Sequence, residues 1–230
     1  MYAQIVLFDG FDPLDVVAPF EVLLAGGIAA GGALTVELVS AEGVRDVVSG
    51  SGGLTLHASA GLDPGRADIV VVPGASGPLE DPDEVGVDTV PVLLGRTLET
   101  ALPSLLAQAL ADSTVLVATV CGGSLIPAMA GLLQDRHAVT HHLGMDVLAA
   151  TGVQVVHARV VDDGDLVSAG GVTSGLDLGL YLLERTIGPR IARTVEQLFD
   201  YERRGTVWRR DGLDPVMAFA PAADVVVSVA

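Results

Sequence analysis

The chain lacks lysine and asparagine and has a single cysteine, and each shortage excludes a kind of chemistry. Without lysine, no Schiff base can form to an aldehyde or to a pyridoxal cofactor. Without asparagine, a Cys-His-Asn triad cannot be assembled. One cysteine provides neither an internal disulfide nor a cysteine-rich zinc site, so we expect no metal ion, no cofactor and a reducing, cytoplasmic compartment. Any covalent step then depends on Cys121 or on a hydroxyl group.

Positive charge is also scarce, because the 12 basic residues, all arginine, face 29 acidic ones and leave a formal net charge of −17. Repulsion between like charges argues against a nucleic-acid backbone as a partner. The first 20 residues contain no basic residue, unlike a signal peptide. The uncharged stretch at residues 22–36 is shorter than the roughly 20 residues of a membrane span and is interrupted by glycines. We therefore expect a soluble protein without a membrane partner.

Apolar runs alternate with amphipathic segments, which predicts a parallel sheet covered by helices on both faces. Strands are predicted at 3–8, 34–40, 67–72 and 114–120, a ribbon at 47–57, a hairpin around Asp162–Asp165, and helices at 15–27, 91–112, 122–133, 173–187 and 189–204. Residues 1–204 are predicted to form one domain. The weak periodicity of residues 205–230 predicts an extension that is irregular or packed on a partner, and the apolar Val225–Val227 would suit such an interface.

Cys121 lies where the predicted strand at 114–120 meets a predicted helix. A thiol at a helix N-terminus is in a positive field beside free N–H groups, and both favour the thiolate. The tight turn of a nucleophile elbow requires small neighbours, which Gly123 provides, although Thr119 departs from a strict G-x-C-x-G. Cys121 is thus a candidate nucleophile, and the alternative is a small buried apolar residue.

Six segments in a fixed order resemble the ThiJ/PfpI family of the class I glutamine-amidotransferase-like superfamily. They are Leu14–Val22, Asp68–Ala75, Ala118–Leu125, Ala130–Leu133, Ala138–His142 and Gly170–Asp177. The resemblance covers about residues 3 to 200 and is strongest to the isocyanide hydratases of that family. It implies a flavodoxin-like, three-layer α/β sandwich with a mainly parallel central sheet and a nucleophile elbow at Cys121.

The resemblance also implies roles for individual residues. The acid of the Leu-Asp-x-x-x-Pro segment, Asp15, would contact the nucleophile Cys121. Backbone amides of Gly74, Ala75 and Gly122 would stabilise a developing anion. From the residues alone, a helix N-cap is the favoured interpretation of Asp15, and only the resemblance favours the catalytic role.

His141 and His142 lie close to a family histidine, and either a pocket role for His141 or polar capping of the turn fits. Glu21 and Asp177 also match acidic positions of the family, where we expect partners of backbone groups or arginine. Gly122 departs from the hydratases, which usually have threonine after the nucleophile.

The function implied by the resemblance is that of a hydro-lyase that adds water to an isocyanide or similar electrophile and yields an N-substituted formamide. The alternative is a redox or small-molecule sensor without turnover, since low-pKa cysteines oxidise readily. A member that binds ligands but has lost its chemistry is a third possibility, which Gly122 leaves open. Family members are mostly homodimers, so a homodimer that binds a small molecule is expected.

Overall fold

A central sheet of eight strands organises the part of the chain that the structure, a computed structural model, describes, namely residues 1–79 and 86–213. The strands of this part are β1 (Tyr2–Leu7), β2 (Thr35–Ser40), β3 (Arg45–Val48), β4 (Thr55–Ala58), β5 (Ala60–Gly61), β6 (Ile69–Val72), β7 (Leu116–Val120), β8 (His137–Ala138), β9 (Gln154–Val155), β10 (Val160–Asp162), β11 (Leu166–Ala169) and β12 (Trp208–Arg209). The sheet order is β12-β10-β11-β7-β6-β1-β2-β5, and β3–β4 and β8–β9 form separate pairs.

Neighbouring strands of the sheet are parallel except for the β10–β11 hairpin. In the middle of the sheet, Ile5 pairs with Val71, which in turn pairs with Ala118. All residues of β6 and β7 are buried, as expected for strands covered on both faces. The predicted fold class is therefore confirmed, and the four predicted strands are β1, β2, β6 and β7.

Helices flank the sheet in two groups. They are α1 (Pro13–Ala29), α2 (Val90–Thr97), α3 (Leu102–Ala111), α4 (Leu125–Met129), α5 (Met145–Ala150), α6 (Ser174–Thr186) and α7 (Pro189–Phe199). In one group α1, α6 and α7 pack against one another, and in the other α4 contacts α2, α3 and α5. None of the helices in the described ranges is long and apolar enough to cross a membrane.

Several helix boundaries differ from the prediction. α1 begins at Pro13 and not at Asp15, so Pro19 lies in its second turn and not in its first. The segment predicted to be mostly helical at 91–112, with Pro103 marking a kink or a break, is two helices. Pro103 lies at the start of the second helix, where its missing N–H costs nothing.

Two further helices end earlier than predicted. The helix predicted at 122–133 is a 3₁₀ helix, Cys121–Ser124, followed by the five residues of α4. α7 ends at Phe199 because Asp200 adopts a left-handed conformation, with φ of 48°.

Residues 205–213 contain a short strand where irregular structure was predicted. In this strand, β12, Trp208 and Arg209 pair with Val161 and Asp162 of β10 and extend the sheet at its edge. The ring of Trp208 also lies 4.9 Å from that of His137, centroid to centroid. Residues 214–230, including Val225–Val227, lie outside the described residues.

Candidate active site

Cys121 follows the last residue of β7 and begins the 3₁₀ helix. Its φ of 55° is in the left-handed region, which a residue with a side chain adopts at a cost of about 1–3 kcal/mol. The hydroxyl of Thr140 donates a 2.7 Å hydrogen bond to the carbonyl oxygen of Cys121 and helps to fix this conformation. Cys121 is buried, and its left-handed conformation between a strand and a helix is the geometry of a nucleophile elbow.

Glycines allow the close approach of the loops around Cys121. A Cβ atom on Gly123 would lie 2.2 Å from the carbonyl oxygen of Val72, and one on Gly74 would lie 2.6 Å from the amide nitrogen of Gly122. A Cβ atom on Gly122 would meet nothing closer than Leu94 Cδ1 at 3.4 Å. Gly123 and Gly74 are thus required by packing, whereas a side chain fits at position 122.

Asp15 is fully buried in the first turn of α1, beside Cys121. One carboxylate oxygen, Oδ2, accepts a 2.9 Å hydrogen bond from the amide of Gly74. The other oxygen, Oδ1, forms no hydrogen bond of standard geometry with the described residues. The N-cap of α1 is Asp12, whose Oδ1 accepts from the amide of Leu14 at 2.9 Å. The capping interpretation of Asp15 was therefore wrong.

The environment of Asp15 raises its pKa from 3.8 to about 8. Burial is the largest cause, because it penalises the charged carboxylate, and the negative charge of Asp12 adds to it. Hydrogen bonding to Gly74 and to the Cys121 thiol lowers the pKa by less. A carboxyl group with this pKa holds a proton at neutral pH.

The thiol behaves differently from the expectation that its position favours the thiolate. Burial, followed by the negative charge of Asp15, raises the pKa of Cys121, and the amide of Gly122 offsets this only in part. The helix after Cys121 is short, so its dipole offers little compensation. Cys121 and Asp15 therefore form a buried pair that is reluctant to carry negative charge, and a thiolate requires the proton to pass to Asp15 or to leave the pair.

Of the three amides expected to face an anion, that of Gly74 is already used, because it donates to Asp15. Ala75 and Gly122 both line the cavity described below. The amide of Ala75 has no acceptor among the described residues, and that of Gly122 interacts with the sulfur of Cys121. The expectation for Gly74 is corrected: its amide binds the acid of the pair.

A cavity of about 320 Å³ opens beside Cys121. Its described lining consists of Asp12, Ala75, Ser76, Gly77, Leu79, Val90, Pro91, Leu94, Cys121, Gly122, Leu125, Met129, His141, Leu143, Gly144, Val147 and Val172. Most of these side chains are apolar, and Asp15 is absent from the lining. The cavity suits a small, largely apolar molecule. Such a molecule would contact Cys121, which lines the cavity, whereas Asp15 lies behind the lining.

His141 lines this cavity and also caps a short 3₁₀ helix, His142–Gly144, so both interpretations of it fit. Its Nδ1 accepts from the amide of Leu143 at 3.3 Å, which leaves Nε2 to carry the proton of the neutral ring. Burial, and then the neighbouring His142, lower the pKa of His141. A neutral donor at the cavity wall is the result.

Other acidic positions have clearer surroundings. Asp177 is buried and accepts hydrogen bonds from Arg159, Tyr201 and the amide of Arg204, as expected for a structural partner. Glu21 is exposed and forms no ion pair in the described ranges, contrary to expectation. Three side chains able to bind one metal ion do not occur together in the described part of the chain.

Sequence reasoning missed Asp12, the charged group of the described cavity lining. The signal was present, because an aspartate before a proline is typical of a helix N-cap, and this helix follows the first strand. Placing the N-cap at Asp12 would have put it at the carboxyl end of the sheet, beside the candidate nucleophile.

The fold and this elbow define a class of α/β proteins with a cysteine at the carboxyl end of a mainly parallel sheet, and comparison with known proteins identifies the family. A model of the DJ-1/PfpI family matches residues 97–185. Isonitrile hydratase from Pseudomonas putida is 34% identical over 199 residues, which cover 85% of this chain and 76% of that protein.

Two solved structures show the same fold. A ThiJ/PfpI family protein from Pseudomonas syringae matches with a TM-score of 0.70 and 23% identity, over 89% of this chain and 76% of that one. Drosophila melanogaster DJ-1beta matches with a TM-score of 0.67 and 18% identity, over 87% of this chain and 98% of that one. The chain belongs to the DJ-1/PfpI, or ThiJ/PfpI, family, which confirms the family predicted from its motifs.

Proposed function

We propose that this protein is a cysteine-dependent hydro-lyase that adds water to isonitriles, also called isocyanides, and releases N-substituted formamides. The observation that carries the proposal is a left-handed Cys121 on an apolar cavity with the buried acid Asp15 behind it. The similarity to an isonitrile hydratase over most of the chain supports the same reaction. The single cysteine suits a reducing compartment, and we place the enzyme in the cytoplasm.

In the first step the sulfur of Cys121 forms a bond to the terminal isonitrile carbon. The reactive form of the pair carries one proton, held by Asp15 while the sulfur is a thiolate, and it is a minor form because the pKa of the thiol is also raised. That proton passes to the carbon that the sulfur attacks, which gives a neutral thioimidate and leaves Asp15 as a carboxylate. A pKa near 8 suits this exchange, because the acid can both hold and give up a proton near neutral pH.

In the second step water attacks the thioimidate carbon. The oxygen of water bonds to the carbon, one of its protons goes to the nitrogen, and the other returns to the pair as the carbon–sulfur bond breaks. The amides of Ala75 and Gly122 lie at the cavity and are our candidates to stabilise the oxygen anion. Losing one such donor typically costs about 3 kcal/mol in the barrier.

The test is formamide production from a simple neutral isonitrile such as cyclohexyl isocyanide. We expect turnover by the wild type, background rates for Cys121→Ala and Cys121→Ser, and at least a 100-fold loss of kcat for Asp15→Asn. Glu21→Gln, an exposed acid on the same helix, is the matched control and should keep full activity. An inactive wild type, or a fully active Cys121→Ala, would reject the proposal.

Gly122→Thr tests whether the departure from the hydratases matters. The 3.4 Å distance from a Cβ atom to Leu94 means that the variant should fold. We expect the variant to be as stable as the wild type. It should keep hydratase activity, with altered values of KM and kcat. Loss of folding would contradict the steric argument.

The alternative, a redox sensor, predicts modification of Cys121 by mild peroxide in a protein that produces no formamide. The buried thiol has a raised pKa, which slows oxidation because the thiolate is the reactive form. Mass spectrometry after peroxide treatment, beside the formamide assay, separates the two functions. We further propose that the working form is a homodimer, as the family resemblance implies.

A further inference from the structure

We propose that the carboxylate of Asp12 makes the cavity reject anionic molecules, so that the isonitriles it takes are neutral or cationic. This inference rests on the proposed function for the identity of the substrate, but the charge selection belongs to the cavity itself. Asp12 touches no reacting atom in the proposed steps. It acts on whatever group a ligand carries beyond the carbon that Cys121 attacks.

The side chain of Asp12 is held at the cavity by two neighbours. As the N-cap of α1, its Oδ1 accepts from the amide of Leu14 at 2.9 Å. Its own amide donates to the carbonyl oxygen of Gly74 at 2.8 Å, in the loop that continues to Ala75 of the cavity lining. The backbone contact positions Asp12, and the contact with Leu14 orients its carboxylate at the cavity.

The charge of Asp12 has no arginine partner among the residues that the structure describes. Among the described residues it forms no ion pair, and no arginine belongs to the described cavity lining. The other polar side chains there are Ser76, which is neutral, and His141, whose pKa is lowered by burial and by His142, although the charge of Asp12 opposes this lowering in part. The negative charge of Asp12 also raises the pKa values of Asp15 and Cys121, so its field reaches the reacting sulfur.

Asp12 is half-buried, and the apolar side chains beside it exclude part of the water that would screen its field. A ligand carboxylate beside Asp12 would lose hydration without gaining a cation, whereas an ammonium group would gain a partner. The net charge of −17 acts in the same direction during approach. The expected order of preference is ammonium, then neutral, then carboxylate.

Two alkylating reagents of similar size test the charge selection without any hydratase turnover. Iodoacetamide is neutral and iodoacetate is an anion, and Cys121, the only thiol of the chain, reports on both. At low ionic strength we expect the ratio of their rate constants, iodoacetamide over iodoacetate, to be at least tenfold larger in the wild type than in Asp12→Asn. The ratio cancels any change in thiol pKa, because both reagents react with the same thiolate.

Asp12→Asn keeps an oxygen acceptor for the N-cap, so the variant should fold, and a melting curve checks this. Glu21→Gln removes the same charge from the exposed face of α1 and should leave the ratio unchanged. Added salt should reduce the wild-type ratio, because ions screen the field. A ratio that is equal in the wild type and Asp12→Asn, or that falls equally in Glu21→Gln, overturns the inference.

Matched substrates extend the test to the reaction. For 3-isocyanopropanoate, its methyl ester and 3-isocyanopropylamine, we expect kcat/KM in the wild type to be at least tenfold lower for the carboxylate than for the ester. Asp12→Asn should raise the ratio of kcat/KM for the carboxylate to that for the ester at least tenfold, because any effect of Asp12 on the pKa values of Asp15 and Cys121 acts on both substrates alike. If none of the three is hydrated while the alkylation ratio depends on Asp12, the proposed function fails and the charge selection stands. If the wild type hydrates the carboxylate with the same kcat/KM as the ester, the charge selection fails and the hydratase function stands.

Discussion

Burial is the main determinant of the proton affinities of the Cys121–Asp15 pair. Both groups lie out of water, where a charge is costly, so the resting pair favours its protonated forms. The raised pKa of Asp15 matters for the reaction because a carboxyl group that is protonated near neutral pH can donate its proton to the carbon that the sulfur attacks. In this arrangement the substrate meets a nucleophile and a proton donor in one place.

Burial of Asp15 also has a consequence for stability. In the unfolded chain its carboxyl group ionises above about pH 4, whereas in the fold it keeps its proton up to about pH 8. Because the folded state then binds the extra proton, the free energy of unfolding falls as pH rises from 4 to 8, by up to about 1.4 kcal/mol per pH unit. Asp15→Asn has no such proton, so its stability relative to the wild type should grow by about 2–4 kcal/mol between pH 5 and 8.

Urea unfolding of both proteins at pH 5, 6.5 and 8 measures this difference. Above pH 8 the gap should level off, because the folded carboxyl group has then ionised as well. A constant difference across the whole range would mean that Asp15 is already ionised in the fold. Glu21→Gln, measured in parallel, should follow the wild type.

At this scale the sequence placed Cys121 and Asp15 together through the family resemblance, although 105 positions separate them in the chain. It could not predict the direction of the thiol pKa, which depends first on the burial of Cys121 and then on the negative charge of Asp15. It also assigned the Gly74 amide to an anion, whereas the carboxyl group of Asp15 takes that hydrogen bond. Such assignments depend on side-chain directions across separate loops, which no local pattern encodes.

Among the elements, the strands were more predictable than the helices. β1, β6 and β7 are mostly apolar and almost completely buried, and burial on both faces leaves few alternatives for such segments. Helix ends depend on single capping residues. Asp12 determines where α1 begins and Asp200 where α7 ends, and both positions differ from the prediction. The predicted helix after Cys121 became a 3₁₀ turn and five residues of α4, a detail that the elbow geometry imposes.

The end of α1 is fitted closely to the start of β2, and this gives a prediction for Gly27. A Cβ atom there would lie 2.1 Å from the carbonyl oxygen of Leu34, which is backbone and cannot swing away. Gly27→Ala should therefore lower the free energy of unfolding by about 1–3 kcal/mol. Thermal and urea unfolding of the variant measure the loss.

Gly95 in α2 is the matched control, because a Cβ atom there would meet nothing within 4 Å. Alanine is the better helix former, so Gly95→Ala should leave stability unchanged or raise it by up to about 1 kcal/mol. If both variants lost the same stability, the close approach of α1 and β2 would not be the cause.

For the whole molecule, the parallel sheet explains why the site could be located before the structure was known. Loops at the carboxyl ends of β1, β6 and β7 bring Asp12, Ala75 and Cys121 to one cavity. The loops that follow parallel strands all lie at the same edge of the sheet, whatever their sequences. The parallel direction of the strands therefore predicts the location of the site. The charge of the cavity is a different matter, because it depends on which single residue caps α1.

The proposed homodimer must form between two chains that each carry a net charge of −17. Repulsion between them extends over a distance that falls from about 30 Å at 0.01 M salt to about 8 Å at 0.15 M. We therefore expect sedimentation velocity to show a species of twice the 23.5 kDa chain mass whose fraction rises as salt is increased. A monomer at every salt concentration would refute the dimer. Salt weakens exposed ion pairs as well as the net repulsion, and the measurement shows only the larger of the two effects. A dimer that dissociates as salt is added would therefore mean that ion pairs across the interface outweigh the repulsion.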